Sequence, residues 1–80
     1  MRTTIVTGLI VRTDQGKVYL LEQLRPGIDP KVRVNNILTT LKERGPFLEC
    51  KDGFGGFHYV NSEHVSEIYL GEYDLKEADQ

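Results

Sequence analysis

The chain has one cysteine, no tryptophan and no long apolar run, and each scarcity removes a class of protein. Cys50 has no second cysteine to pair with, which excludes an intrachain disulfide and makes a reducing cytoplasm the expected setting. No apolar stretch approaches the ~20 residues that a membrane-spanning helix needs, so no membrane partner is expected. A basic leader with an apolar core and cleavage site is not seen at the N-terminus, so secretion is not expected. A strong excess of one charge is also missing: ten Lys/Arg stand against twelve Asp/Glu, and the formal net charge of -2 is too small to name a partner. The distribution is uneven, however. Residues 62–80 carry Lys76 alone against Glu63, Glu67, Glu72, Asp74, Glu77 and Asp79. The expectation is one domain over 1–74, mildly basic over residues 1–61, followed by an acidic C-terminal tail at 75–80 that solvates the protein or competes with an anionic ligand.

The most legible element is a helix over residues 30–44. Asp29 suits the N-cap, and Pro30 the first helical position, where its missing N–H costs nothing. Gly45 suits the left-handed stop. Val34, Ile37, Leu38 and Leu41 recur at i, i+3, i+4 and i+7, the spacing of a buried stripe. The rest reads as β. Thr3–Arg12 and Lys17–Leu24 are joined by Asp14-Gln15-Gly16, a turn-forming triplet. Phe47–Lys51 and Phe57–Asn61 flank the glycine-rich Asp52–Gly56, and Asn61–Val65 reads as a capped single turn before Glu67–Tyr73. The order β-β-α-β-β-β implies an α+β fold, a mostly antiparallel sheet with one amphipathic helix packed on it.

The first two strands barely alternate. Ile5, Leu9 and Val11 fall on one face and Val6 and Ile10 on the other, while Val18, Leu20 and Leu24 oppose Tyr19 and Leu21. One helix covers one face. The other requires either the fifth strand folding over as a small barrel or a second protomer, and the doubly apolar pattern favours a homo-oligomer.

Several residues are candidate contacts. Lys31 and Lys42 lie along one edge of the helical stripe, and Arg33 and Arg44 along the other. Members of each pair are roughly 16 Å apart, so the two ridges could straddle a phosphate backbone, with Arg25 nearby, or snorkel over the core. Val32 falls on the solvent side. In Asp52–Phe57 no Gly-Lys-Ser/Thr follows the glycines, so this is no phosphate-binding P-loop. It reads as a flexible hairpin loop whose Phe54, Gly55 and Gly56 present a contact surface. Cys50, His58, His64 and Glu49 are metal-ligand types, but their spacing matches no closed tetrahedral site, and no metal or cofactor is expected. No group is identifiable to orient a Cys–His nucleophile, so no catalytic residue is assigned.

From Asp29 to about residue 70, the chain resembles the RemA-like biofilm-matrix regulators, small ring-forming bacterial DNA-binding proteins. The likeness rests on Pro30, the helix through Ile37 and Leu41, Gly45, and the polar turn Asn61-Ser62-Glu63-His64-Val65. It implies ring assembly and DNA binding. Where that family has an arginine-rich, DNA-contacting hairpin, this chain has Gly53-Phe54-Gly55-Gly56. Three functions therefore stay open. The first is a self-associating, non-enzymatic module for a macromolecular partner, such as a regulatory or inhibitory protein of the kind phages encode. The second is a RemA-like nucleic-acid-binding regulator, and the third a small-molecule binder in an oligomer cleft.

Overall fold

The computed structural model of the chain describes residues 2–77. Its elements are β1 (Arg2–Thr13), β2 (Val18–Gln23), α1 (Pro30–Arg44), β3 (Phe47–Lys51), β4 (Phe57–Asn61), a 3₁₀ turn (Ser62–His64) and β5 (Val65–Glu77). This is the expected α+β order, with the five strands antiparallel in the sequence β4-β3-β2-β1-β5. The helix ends follow their capping chemistry. The Asp29 carboxylate accepts the Lys31 N–H at 2.9 Å, and Gly45, at φ +106°, donates its N–H to the Leu41 carbonyl. The β1–β2 turn closes with the Thr13 N–H on the Lys17 carbonyl at 2.8 Å.

The helix packs one face of the sheet. Buried Val11, Leu48 and Cys50 form a cluster against Ile37 and Leu41 of α1, with Val60, Val65 and Ile68 beside them. Leu38, expected in that stripe, is 45% exposed. The side of the helix turned to the sheet runs through Pro30, Arg33, Val34, Ile37 and Leu41, which are half-buried, and no residue of α1 is fully buried.

On the opposite face Ile10 faces Leu20, and both are almost wholly buried, as is Val6. The cover comes from the chain itself. β1 and β5 pair along their whole described length, and beyond the Gly8–Gln23 pair they leave β2 and continue as a two-stranded ribbon. The far end of that ribbon meets the β3–β4 loop, where the Lys76 N–H donates to the Gly53 carbonyl at 2.8 Å. The Tyr73 hydroxyl also donates to the Val18 carbonyl. β5 and the β3–β4 pair lie at opposite ends of the strand order, so these contacts curl the sheet toward a small barrel. This corrects the expectation that a second protomer covers the second apolar face. Ile5, on the ribbon, is 65% exposed rather than aligned in a core with Leu9 and Val11. The boundary of the acidic tail also moves: Leu75–Glu77 belong to β5, and residues 78–80 lie outside the described residues.

Candidate functional site

β3 and β4 form a hairpin whose two faces differ sharply. Leu48 and Cys50 point inward and are buried. Phe47, Glu49 and Lys51 alternate with them and face Asn61, Tyr59 and Phe57 across the ladder. Facing residues in an antiparallel pair share a side, so these six occupy the outer face. Phe47, Phe57 and Tyr59 are 58%, 61% and 70% exposed there, and Phe54 at the loop is 73% exposed. All three phenylalanines of the chain thus lie exposed on one hairpin. An aromatic side chain carries about 150–250 Å², so the four together leave roughly 400–650 Å² in water, comparable with the largest patch of an ordinary monomer. Removing that area from water is worth on the order of 10 kcal/mol before association costs are subtracted. An accidental loop phenylalanine would not reach that scale.

Two lysines sit over this surface. Lys76 Nζ lies 4.6 Å from the Phe54 ring centroid and Lys51 Nζ 5.6 Å from that of Phe57, both within cation–π range. Side-chain hydrogen bonds shape the loop that carries Phe54. The Asp52 carboxylate accepts the backbone N–H groups of Phe54 and Gly56, and its other oxygen lies 2.7 Å from His58 Nε2. The His58 contact, followed by the two backbone N–H bonds, holds the Asp52 carboxyl down at about 2. His58 also packs against Tyr19, with centroids 4.9 Å apart and the rings tilted by 40°. Gly56 is needed for space: a Cβ there would lie 2.6 Å from Asp52 Oδ2. Gly55 is the loop's positive-φ residue, at +87°.

One member of the two basic ridges is held by an acidic partner on the sheet. Arg33 makes a two-pronged ion pair with Glu22, its Nε 2.7 Å from Oε2, and the Glu22 hydrogen bonds raise its already high pKa. It anchors α1 to β2 instead of presenting charge outward. Arg25, Lys31, Lys42 and Arg44 are exposed, as is Val32 on the solvent side of α1. β2 and β3 pair only at Leu20–Lys51, and a cleft of about 380 Å³ opens where they splay. Arg33, Ile37, Leu41 and Arg44 line it from the helix, and Phe47 and Tyr59 from the hairpin, so the cleft continues the aromatic face toward α1.

The residues of metal-ligand type serve other ends. His64 Nδ1 is 3.1 Å from the Asp14 carboxylate, tying the 3₁₀ turn to the β1–β2 turn. Cys50 is fully buried, and burial, with Glu49 adding to it, pushes its thiol up to about 11. Among the described residues, no group of three His, Cys, Asp or Glu side chains is placed to hold a metal, and no helix is long and apolar enough to cross a membrane. Phe47, Phe57 and Tyr59 were not singled out from the sequence, although the signal was present. In each strand of this hairpin the aromatics share phase with charged or polar residues, Phe47 with Glu49 and Lys51, and Phe57 and Tyr59 with Asn61. No family model, curated protein or solved structure matches the chain.

Proposed function

We propose that this protein is a small non-enzymatic interaction module that self-associates and docks a macromolecular partner, as a regulatory or inhibitory protein does. The observation that carries this reading is the outer face of the β3–β4 hairpin: Phe57 and Tyr59 of β4 and Phe47 of β3 exposed on one side, with Phe54 exposed at the loop. Contact hot spots are built from such aromatic anchors, and an uncovered area of this size is costly to keep in water without a partner. Asp52 and His58 serve to shape the loop, which supports a binding role for the site over a catalytic one. The test is to replace Phe47, Phe54 and Tyr59 singly by Ser. Each variant should keep its stability within about 1 kcal/mol, as exposed positions do, yet lose association. Loss of stability with association intact would return these rings to the core and sink the proposal.

The RemA-like nucleic-acid reading draws on one observation, the lysines over Phe54 and Phe57, since single strands are held by stacked aromatics flanked by cations. Titration of labelled single-stranded and duplex oligonucleotides across a salt series separates the two. Binding that weakens steeply with salt would favour the regulator, whereas an absence of binding at low salt leaves the protein-partner reading.

A further inference from the structure

The sheet has two edge strands, β4 and β5, and only one of them is guarded. β5 carries Glu67, Glu72, Asp74 and Lys76, and its end is tied to Gly53 through the Lys76 N–H. β4 reads Phe-His-Tyr-Val-Asn: no acidic residue, no lysine or arginine, no proline. Those are the devices by which natural edges avoid pairing with another chain. The hydrogen-bond phase shows what β4 offers. The β3–β4 ladder is bounded by the Asp52 N–H on the Gly56 carbonyl and the Ser62 N–H on the Pro46 carbonyl. With Cys50 facing His58 and Leu48 facing Val60, the even-numbered residues of β4 bond inward to β3. The N–H and C=O groups of Phe57, Tyr59 and Asn61 therefore point to the open edge, and their side chains are those of the aromatic face.

Resting on the interaction-module reading, we infer that β4 pairs antiparallel with β4 of a second copy about a two-fold axis at Tyr59. Tyr59 then faces the partner's Tyr59, and Phe57 faces the partner's Asn61. An isologous contact must be self-complementary, and a short strand without Asp, Glu, Lys or Arg whose outward residues are centred on one position meets that condition. Each facing pair exchanges two N–H···O bonds and sets its Cα atoms about 5.5 Å apart with the side chains on one side, so the two aromatic faces merge across the axis. A five-residue strand pair with its flanking aromatics is smaller than the roughly 800 Å² per partner of a standard interface, the class of weak, transient contacts, so dissociation is sought from micromolar concentrations upward.

Sedimentation equilibrium across that range tests the inference. The wild-type mass should rise from 9.1 kDa toward twice that value. Tyr59→Lys and Tyr59→Glu should each stay monomeric, because each puts like charges face to face, and mixing them in equal amounts should restore the dimer. Tyr59 is an exposed position, and urea denaturation checks that each variant is folded. Backbone amide exchange at Phe57, Tyr59 and Asn61 should slow as the wild-type concentration rises. A wild-type dimer unaffected by Tyr59→Lys, or charge variants that stay monomeric when mixed, would overturn the β4 pairing while leaving self-association through another surface. A wild-type chain that stays at 9.1 kDa throughout would overturn both.

Discussion

Gly8→Ala is a sharp test of how the sheet curls, because the cost follows from the atoms that one methyl would meet. Gly8 faces Gly71 across β1 and β5 at the point where β1 leaves β2. Neither glycine has positive φ, so each is required for space and not for backbone conformation. A Cβ on Gly8 would lie 2.3 Å from the Glu22 carbonyl oxygen, 2.9 Å from Leu20 Cδ1 and 3.1 Å from the Gln23 Cα. Two of those neighbours are backbone of β2 and cannot swing aside, so β1 and β2 must part near the Leu24 N–H to Thr7 carbonyl bond. Overpacking costs typically about 1–3 kcal/mol, and a backbone collision belongs at the upper end, about 3 kcal/mol. For a domain of this size that lowers the melting temperature by roughly 12–24 °C. Gly71 is the internal control. A Cβ there would come within 3.1–3.2 Å of Ile10 Cδ1 and the Tyr69 ring, both side-chain atoms able to give way. Gly71→Ala should cost less than about 1 kcal/mol. Urea denaturation of both variants measures the difference. Equal stabilities, or a Gly8→Ala cost below about 1 kcal/mol, would show that the close approach of β1 and β2 is not what glycine secures.

Leu41→Ala should cost about 2–3 kcal/mol in chemical denaturation, the low end for a leucine that is only half-buried. Leu38→Ala should cost less than about 1 kcal/mol, and a reversed order would mean that α1 is rotated on the sheet. The Cys50 thiol, buried and pushed up to about 11, should resist a disulfide reagent at mildly alkaline pH and react on unfolding. Rapid labelling of the native protein would contradict that burial. Asp52 is held at about 2 against an ordinary 3.8, so its stabilising effect is present above 3.8 and lost as pH falls toward 2. Denaturation measured across that window should show Asp52→Asn losing less stability with acid than the wild type. Parallel curves would remove the loop brace from the account.

Local chemistry made the elements readable. The caps of α1 announce themselves in Asp29, Pro30 and Gly45, because capping depends on residues adjacent in sequence. The hairpin strands at 47–51 and 57–61 are bounded by a proline and by the Asp52 turn, again local signals. What escaped is longer in range. Periodicity assigns Leu38 to a stripe but cannot say how the helix is rolled. Its setting is fixed by the Arg33–Glu22 pair, which joins residues eleven apart. The doubly apolar β1 correctly implied cover on both faces. The identity of the cover depended on Gly8 meeting Gly71, a pairing between the two ends of the chain that no local pattern displays.

The candidate surface was half readable for a related reason. Phe54 stood out because glycines surround it, and a residue without neighbours in sequence is easily read as exposed. Phe47, Phe57 and Tyr59 looked like ordinary strand aromatics, since β propensity and core burial favour the same residue types. Only cross-strand register separates the two cases. Pairing Phe57 with Lys51 and Tyr59 with Glu49 sets each ring beside a charge that must face water, so the rings face water too. The same register orients the free N–H and C=O groups of β4 toward the open edge. One structural fact, the phase of the β3–β4 ladder, therefore decides both which aromatics are available to a partner and which backbone groups stand ready to pair with one.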